Sequence, residues 1–319
     1  MPDTTLTLKM GRATREAYGE ALLEVGKKNH DVVVIDADLA KSTYSFMFEK
    51  QFPERFFNIG IQEANMVSVA SGMASSGKMP FISSFAAFVL CKGFDQLRMG
   101  VAYPHLNVKV AGSHGGISIG EDGVSQQSVE DIALACALPG FIVCIPADEY
   151  SMKAAVHEAA KHDGPVYLRL GRPKAAIVHE PGVEFEFGKA IELRDGDSLT
   201  IVANGLLVGE AVLAAEELAS RGINARVLDM HTVKPLDDEV LERASRETGA
   251  FVVAEEHLHH GGLGSAVAAS LAAHVPAPIE FVDLGDSYAE SGKPADLLKK
   301  YGMTAENIVA AAERVVKRK

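Results

Sequence analysis

Residues 58–77, NIGIQEANMVSVASGMASSG, decide how the rest of the chain is read, because a single carboxylate, Glu63, opens an otherwise small-residue and apolar run. Counted from Glu63, Met66, Val67, Ala70 and Ala74 recur at helical spacing while Val69 and Met73 fill the opposite side, so a helix buried on both faces is expected. A helix buried all round has little reason to carry a charge. Two accounts of Glu63 stand side by side. It either meets the positive end of the helix dipole from the first turn, a placement worth roughly 0.3–1 kcal/mol, or it has a chemical task, since ionisable groups at buried helix starts are structural as well as catalytic.

Outward from this stretch, helices and strands alternate. ATREAYGEALLEVGKK, from residue 13, is helical in period, and DVVVIDAD at 31–38 is a short apolar strand ending in acids. A brief strand at 56–59 delivers the chain to Glu63; strand 79–83 then ends in SSFAAF, a helix runs through Asp95 and Arg98, and strand 107–111 follows. Continuous apolar strands alternating with helices indicate a parallel sheet covered on both faces. The last strand opens into GSHGGISIGEDGVSQQ, 16 residues with five glycines and no apolar periodicity. A loop of that length in a compact domain usually serves a ligand.

A helix at 129–137, a strand at 141–145, a helix at 149–162 and a strand at 165–170 close a unit of about six strands. Ligands of an open parallel sheet bind beyond the carboxyl ends of its strands. Asp38, the 83–88 segment, His114, Asp122 and Arg172 all fall just beyond such ends.

Residues 173–197 lack this rhythm, contain a Pro-Gly and read as a connection with a short β excursion. The boundary is placed near 187, dividing a domain of 1–186 from one of 187–319. The second part repeats the alternation with strands at 198–204, 224–229, 250–254 and 279–283, helices at 208–221, 237–247 and 263–274, and a final helical pair. The fold class is therefore α/β, two domains, each a mostly parallel sheet flanked by helices, the second sheet the smaller.

Composition narrows the function. With 47% hydrophobic and 23% charged residues the chain is an ordinary globular protein, and a net charge of −12 argues against nucleic acid or an anionic membrane as partner. Any phosphate binding must then be local. Cys91, Cys136 and Cys144 form no CxxC pair and read as buried thiols in a reducing compartment. The N-terminal MPDTTLTLKMGRATREAYG lacks a signal-peptide core and no later run is long enough to span a bilayer, so a cytoplasmic protein is expected. GxxxxGK[ST], HExxH and GxSxG are absent. GGLGSA at 261–266 lacks the strand before it and the acid after it that a dinucleotide turn needs. His257, His259 and His260, in EEHLHH at 255–260, are neighbouring loop histidines without a designed carboxylate or cysteine ligand set and read as interface or solvent groups, so no metal is expected on this chain.

NIGIQEANMVSVASGMA, SSFAAF, FDQLRM, GSHGGISIGEDGVSQ, LRLGRP and GMTAENIV together resemble, in order and over nearly the whole chain, the C-terminal portion of transketolase. The resemblance is closest to those transketolases with a glutamine, here Gln126, four residues after the acid of GED, where others carry histidine. One departure is large. A single-chain transketolase begins with a domain that holds the diphosphate of thiamine diphosphate and its divalent metal through a Gly-Asp-Gly motif and an asparagine, and nothing here plays that part: GEDG at 120–123 belongs to the ligand loop, and 194–196 lies in the linker. The resemblance thus implies a subunit with the pyrimidine-binding and C-terminal domains, inactive alone. A separate N-terminal subunit would supply the diphosphate and metal (Mg) site, in a two-plus-two heterotetramer.

The resemblance also implies roles. Glu63 matches the carboxyl that hydrogen-bonds the aminopyrimidine ring and drives it to the imino tautomer, which deprotonates the thiazolium carbon; a buried carboxyl suits sharing a proton with a weakly basic nitrogen. Phe85 and Phe88, otherwise plain core residues, match the aromatic side chains that pack on that ring. Met66 lines the same pocket, and Asp38 meets the thiazolium side or the subunit contact. For the sugar, His114 and Arg172 meet the phosphate or distal hydroxyls, Asp122 the hydroxyl next to the reacting carbonyl, and Gln126 the first hydroxyls. Arg15 and Ser42 match further phosphate contacts; from the residues alone they read equally as an exposed helix charge and a helix N-cap. The implied reaction is reversible transfer of a two-carbon ketol unit from a ketose phosphate to an aldose phosphate. Rivals are a deoxyxylulose phosphate synthase, the beta subunit of a 2-oxoacid dehydrogenase, a transketolase for an unusual sugar, and a non-catalytic paralogue. The SIGEDG…Q loop with His114 fits the two decarboxylating enzymes less well, and the intact residue set argues against the paralogue.

Overall fold

The structure, a computed structural model, describes residues 7–319; the first six residues of the N-terminal stretch read above lie outside them. In the first half the elements are β1 (Met10–Ala13), α1 (Thr14–Lys28), β2 (Val32–Asp36), α2 (Ala40–Thr43), α3 (Phe46–Gln51), β3 (Phe56–Asn58), α4 (Glu63–Ser75), β4 (Met79–Phe85), α5 (Ala86–Gln96), β5 (Lys109–Ser113), α6 (Asp131–Cys136), β6 (Ile142–Cys144), α7 (Glu149–Lys161) and β7 (Val166–Leu170). They continue as β8 (Lys174–Ala176), β9 (Ile191–Arg194), β10 (Leu199–Ala203), α8 (Leu207–Ser220), β11 (Ala225–Asp229), β12 (Thr232–Lys234), α9 (Asp238–Thr248), β13 (Phe251–Ala254), α10 (Leu263–Ala273), β14 (Ile279–Val282), α11 (Pro294–Lys300) and α12 (Ala305–Val316).

These form a seven-stranded sheet in the order β12-β6-β7-β5-β4-β2-β3, a five-stranded sheet in the order β14-β13-β10-β11-β9, and the antiparallel pair β1-β8. Among the described residues, β12 and β9 are the strands of the larger sheets that run antiparallel to their neighbours. The central strands β2, β5, β7, β10 and β11 are buried along their whole length, as apolar runs covered by helices on both faces must be. Helix starts are specified locally: the Asp148 side chain accepts from Tyr150 N and Ser151 N at the head of α7, and Asp237 from Val240 N at the head of α9.

Six strands of the large sheet come from the first half, as the alternation predicts. The seventh, β12, lies beyond residue 187 and reaches back to pair with β6, so the second half closes the edge of the first sheet. One apolar core runs through both sheets, joining Ile35, Met66 and Val143 to Val202, Leu228 and Phe251. The expectation that α4 is buried on both faces is corrected. Glu63, Met66, Val67 and Ala70 are buried, whereas Asn65, Ser68 and Gly72 are exposed and Val69 and Met73 half-buried, because among the described residues α4 packs against β4 and α5 with one side and leaves the other largely uncovered. No helix among the described residues is long and apolar enough to cross a membrane.

Candidate active site

Glu63 occupies the first position of α4, beyond the carboxyl end of β3. Asn58 shapes the approach: its amide nitrogen donates to Asp38 Oδ1 at 3.0 Å and its oxygen accepts from Gly60 N at 3.0 Å. The Glu63 side chain is 3% exposed. Its Oε2 lies 3.5 Å from Lys92 Nζ, but Oε1 is buried without any partner. Buried polar atoms are nearly always hydrogen-bonded, so an orphaned carboxylate oxygen is not explained by a favourable helix dipole alone.

An aromatic wall stands beside this acid. Phe85 ends β4 and Phe88 follows in the first turn of α5; their rings stack with centroids 5.5 Å apart and planes at 22°. The His114 ring stacks on Phe85 at 3.9 Å, and the Lys92 ammonium sits 4.3 Å over Phe88. Lys92 was not picked out from the sequence, although its spacing of four from Phe88 on one helix places the two side by side. Met66, nearly one turn after Glu63, is fully buried in the core.

The polar side begins at His114, which follows β5 with φ 63°. Its Nε2 lies 3.2 Å from Arg15 Nη1 and its Nδ1 2.8 Å from Ser113 Oγ. The guanidinium can only donate, so Nε2 accepts and Nδ1–H donates to the hydroxyl, which assigns a neutral tautomer. Burial, reinforced by Arg15 and Arg172, lowers the imidazole to about 3. Arg15 Nη1 also donates to the Ser42 carbonyl at 2.9 Å, and its buried Nε has no partner. Arg172, two residues after β7, donates to the Ile119 carbonyl and to Glu121 Oε2, the latter at 3.1 Å.

The loop from Gly115 to Gln127 is held by both halves of the chain. Ser118 N and Oγ donate to the Glu256 carboxylate, which is 4% exposed, and Gln127 Nε2 donates to the Glu290 carbonyl at 3.0 Å. Gly116, at φ 83°, passes against that carboxylate where any Cβ would collide with it. Arg169 fixes the end of the loop, pairing with Asp131 at 2.8 Å and donating to the Ser128 and Glu256 carbonyls. The sequence reading does not single out Glu256; its place two residues beyond the carboxyl end of β13 is the signal that could find it.

Contacts thus run from Glu63 through Lys92, Phe88, Phe85, His114 and Arg15 to Ser42. Arg172 influences His114 electrostatically and bonds Glu121, the neighbour of Asp122. Asp122 is exposed, Gln126 half-buried, and Asp38, exposed at φ 66°, is tied to Asn58; none of the three touches this chain of contacts directly. A planar ring carrying a nitrogen could meet the orphaned Glu63 oxygen while lying on the phenylalanines, and an anion could meet Arg15 and Arg172. Among the described residues no group of three or more His, Cys, Asp and Glu side chains is disposed to hold a metal ion.

The transketolase pyrimidine binding domain matches residues 10–176, and the transketolase C-terminal domain matches residues 188–308. A 6-deoxy-6-sulfo-D-fructose transketolase subunit, SqwH, of Clostridium sp. (strain MSTE9) is 44% identical over 96% of this chain and 95% of its own length. A putative transketolase C-terminal section of Methanocaldococcus jannaschii is 43% identical over 93% and 94%. Mouse transketolase-like protein 2 is 41% identical over 95% of this chain, which spans only 49% of that longer protein. A solved split gene transketolase, described as an inactive beta4 tetramer, superposes with a TM-score of 0.91 at 47% identity, covering 96% of this chain and 99% of its own.

Proposed function

The chain belongs to the transketolase family of transferases, and we propose that it is the subunit of a two-chain transketolase that binds the aminopyrimidine end of thiamine diphosphate and the sugar. The observation that carries this is the buried, unpartnered Oε1 of Glu63 beside the stacked Phe85 and Phe88. The family's cofactor fits there: Glu63 would hold a ring nitrogen of the aminopyrimidine, and the phenylalanines would pack on its face. Thiamine diphosphate, when bound, supplies a carbon nucleophile for ketol transfer.

This chain's own residues do the rest. Glu63 offers one oxygen to which a proton can be passed in a site closed to water, where a positioned acid–base group contributes about 100-fold or more. Arg15 and Arg172 bind the anionic end of a ketose or aldose, Arg172 through a planar fork suited to phosphate or sulfonate. His114, uncharged and with both ring nitrogens engaged by Arg15 and Ser113, meets the sugar's anionic end by orienting Arg15, with Ser42 beside it. Asp122 takes the hydroxyl next to the reacting carbonyl and Gln126 the first hydroxyls. Met66 backs the ring site, and Asp38 faces the thiazolium side or the subunit contact. The domain limits 1–186 and 187–319 and a cytoplasmic location belong to the same reading.

Diphosphate and divalent metal would be held by an N-terminal transketolase subunit, in a two-plus-two assembly. Support comes from relatives that are themselves split subunits of this length and from longer relatives of which this chain spans half. Transfer between pentose and other sugar phosphates is the first reading of the reaction. A sulfonated ketose is the second, favoured by the 44% identical SqwH subunit. Co-purification with the partner and a coupled assay test this: ketol transfer by the pair and none by either chain is expected. Carbon dioxide release from pyruvate without ketol transfer would overturn it.

A further inference from the structure

Asp36 ends β2 with no solvent exposure and has no part in the chain of contacts described above. Its carboxylate gathers three donors from the turn that follows. Leu39 N donates to Oδ1 at 2.6 Å, while Thr43 Oγ1 and Ser45 Oγ each donate to Oδ2 at 2.9 Å. That turn contains two non-glycine residues at positive φ, Asp38 and Tyr44, both at 66°. Such backbone persists only where surrounding contacts over-determine it, and the Asp36 carboxylate supplies contacts at the start, middle and end of the turn.

What the turn carries is the substrate end of the site. The Ser42 carbonyl accepts from Arg15 Nη1 at 2.9 Å, the same nitrogen lies 3.2 Å from His114, and the Tyr44 ring lies 5.4 Å from the guanidinium carbon. We propose that Asp36 is a positioning residue for the sugar's anionic terminus, fixing the 38–45 turn so that Ser42 and Arg15 are presented in one geometry. The proposal rests on the transketolase reading, which assigns Arg15 and Ser42 to that terminus.

Charge matters here as well as shape. Burial pushes the Asp36 carboxyl up to about 6 against the pull of its three donors, with Asp38 adding to the rise. The titratable groups facing it are Asp38 in the turn and Tyr18 of α1, whose phenol is also pushed up by burial and bonds Ser83 of β4 at 2.8 Å. Above about 6 the carboxylate only accepts and serves all three donors. Below it, a proton turns one oxygen into a donor and the turn loosens.

The test uses the complex with its partner subunit and, as donors, fructose 6-phosphate and 6-deoxy-6-sulfofructose. Asp36→Asn keeps the shape and removes the charge. At pH 8 its KM should be about 10-fold above wild type with kcat within about 3-fold, the size expected for mispositioned binding groups. The KM ratio of variant to wild type should fall toward one by pH 5, where Asp36 is itself neutral; titration of the substrate phosphate cancels in that ratio. Because the folded-state value is raised, burying the ionised form costs stability as pH climbs past about 6, so the melting temperature of Asp36→Asn at pH 8 should equal or exceed wild type. In an Arg15→Gln background Asp36→Asn should add little. A KM ratio near one at pH 8, a ratio that does not change with pH, a fall in melting temperature that accompanies the KM effect, or full additivity with Arg15→Gln would each overturn the proposal. If the wild-type complex turns over neither ketose, the transketolase reading fails and the proposal with it; turnover with an unchanged variant sinks the proposal alone.

Discussion

Oε2 of Glu63 lies 3.5 Å from the Lys92 ammonium, while Oε1 of the same carboxylate is buried with no partner. A side chain that needed both oxygens for the fold would not leave one unmade. Glu63→Gln is nearly isosteric and keeps an oxygen for Lys92, so assembly with the partner should persist. Turnover should fall at least ~100-fold, the scale for losing a positioned acid–base group. Coupled steady-state assays and size-exclusion chromatography check the two halves; near-normal turnover would remove Glu63 from catalysis.

Phe88 is half-buried, its ring stacked with Phe85 and approached by the Lys92 ammonium. Truncation to alanine removes a stacking contribution of about 0.5–1.5 kcal/mol beyond burial, or roughly 2- to 13-fold in affinity. The apparent affinity of the complex for thiamine diphosphate should drop by at least that factor. Cofactor titration by fluorescence quenching measures it directly, and an unchanged titration would make Phe88 a plain core residue.

His114 should remain neutral through the working range. Burial and two guanidinium neighbours lower it to about 3, so the folded chain declines a proton that the unfolded chain takes near 6.5. Stability therefore falls as pH drops below about 6.5, by about 2 kcal/mol at pH 5 from this group alone. Imidazole NMR shifts should stay at the neutral position from pH 8 to pH 5. A midpoint near 6.5 would contradict the geometry.

Much of this was legible in the sequence, and the reasons are specific. DVVVID and VYLRL announce central strands because continuous apolar runs fit only a sheet covered on both faces, and Phe85, His114 and Arg172 follow from strand ends. β12 was not legible: three residues, TVK, carry no periodicity, and their partner β6 lies about ninety residues earlier. Glu256 escaped for the same reason, since Ser118 is 138 residues away in sequence and only the packing of the two halves brings them together. Asp36 was hidden in plain view, read as a strand-end acid while its function depends on the path of the following turn.

The connection between the halves holds a buried charge cluster. His179 Nδ1 lies 3.3 Å from Asp148 Oδ2 and its Nε2 3.2 Å from Asp229 Oδ2, one aspartate before α7 and the other at the end of β11. Despite burial, the two aspartates at ion-pair distance raise the imidazole from 6.5 to about 9. Its stabilising contribution is complete below about 6.5 and is lost as pH rises through about 9, on the order of 3 kcal/mol. Urea midpoints should decline between pH 7 and pH 10, and His179→Gln should be less stable at pH 7 with that decline much reduced. Equal pH dependence in the two proteins would refute the assignment.

Gly116 gives the most local test of how the second half supports the site. Its φ of 83° disfavours any side chain, and a Cβ there would run into the Glu256 carboxylate that takes both Ser118 donors. Gly116→Ala must either strain the backbone, at about 1–3 kcal/mol, or push Glu256 off Ser118. Both outcomes loosen the loop that carries Asp122 and Gln126 while leaving the sheets intact. The KM for the ketose should rise at least ~10-fold, and the Ser118 amide should exchange faster with deuterium. Glu256→Gln keeps one acceptor and no collision, so it should show a smaller KM rise and intermediate exchange. If Gly116→Ala speeds exchange at Ser118 yet leaves KM unchanged, the loop does not bind the sugar and Asp122 and Gln126 lose their assigned roles.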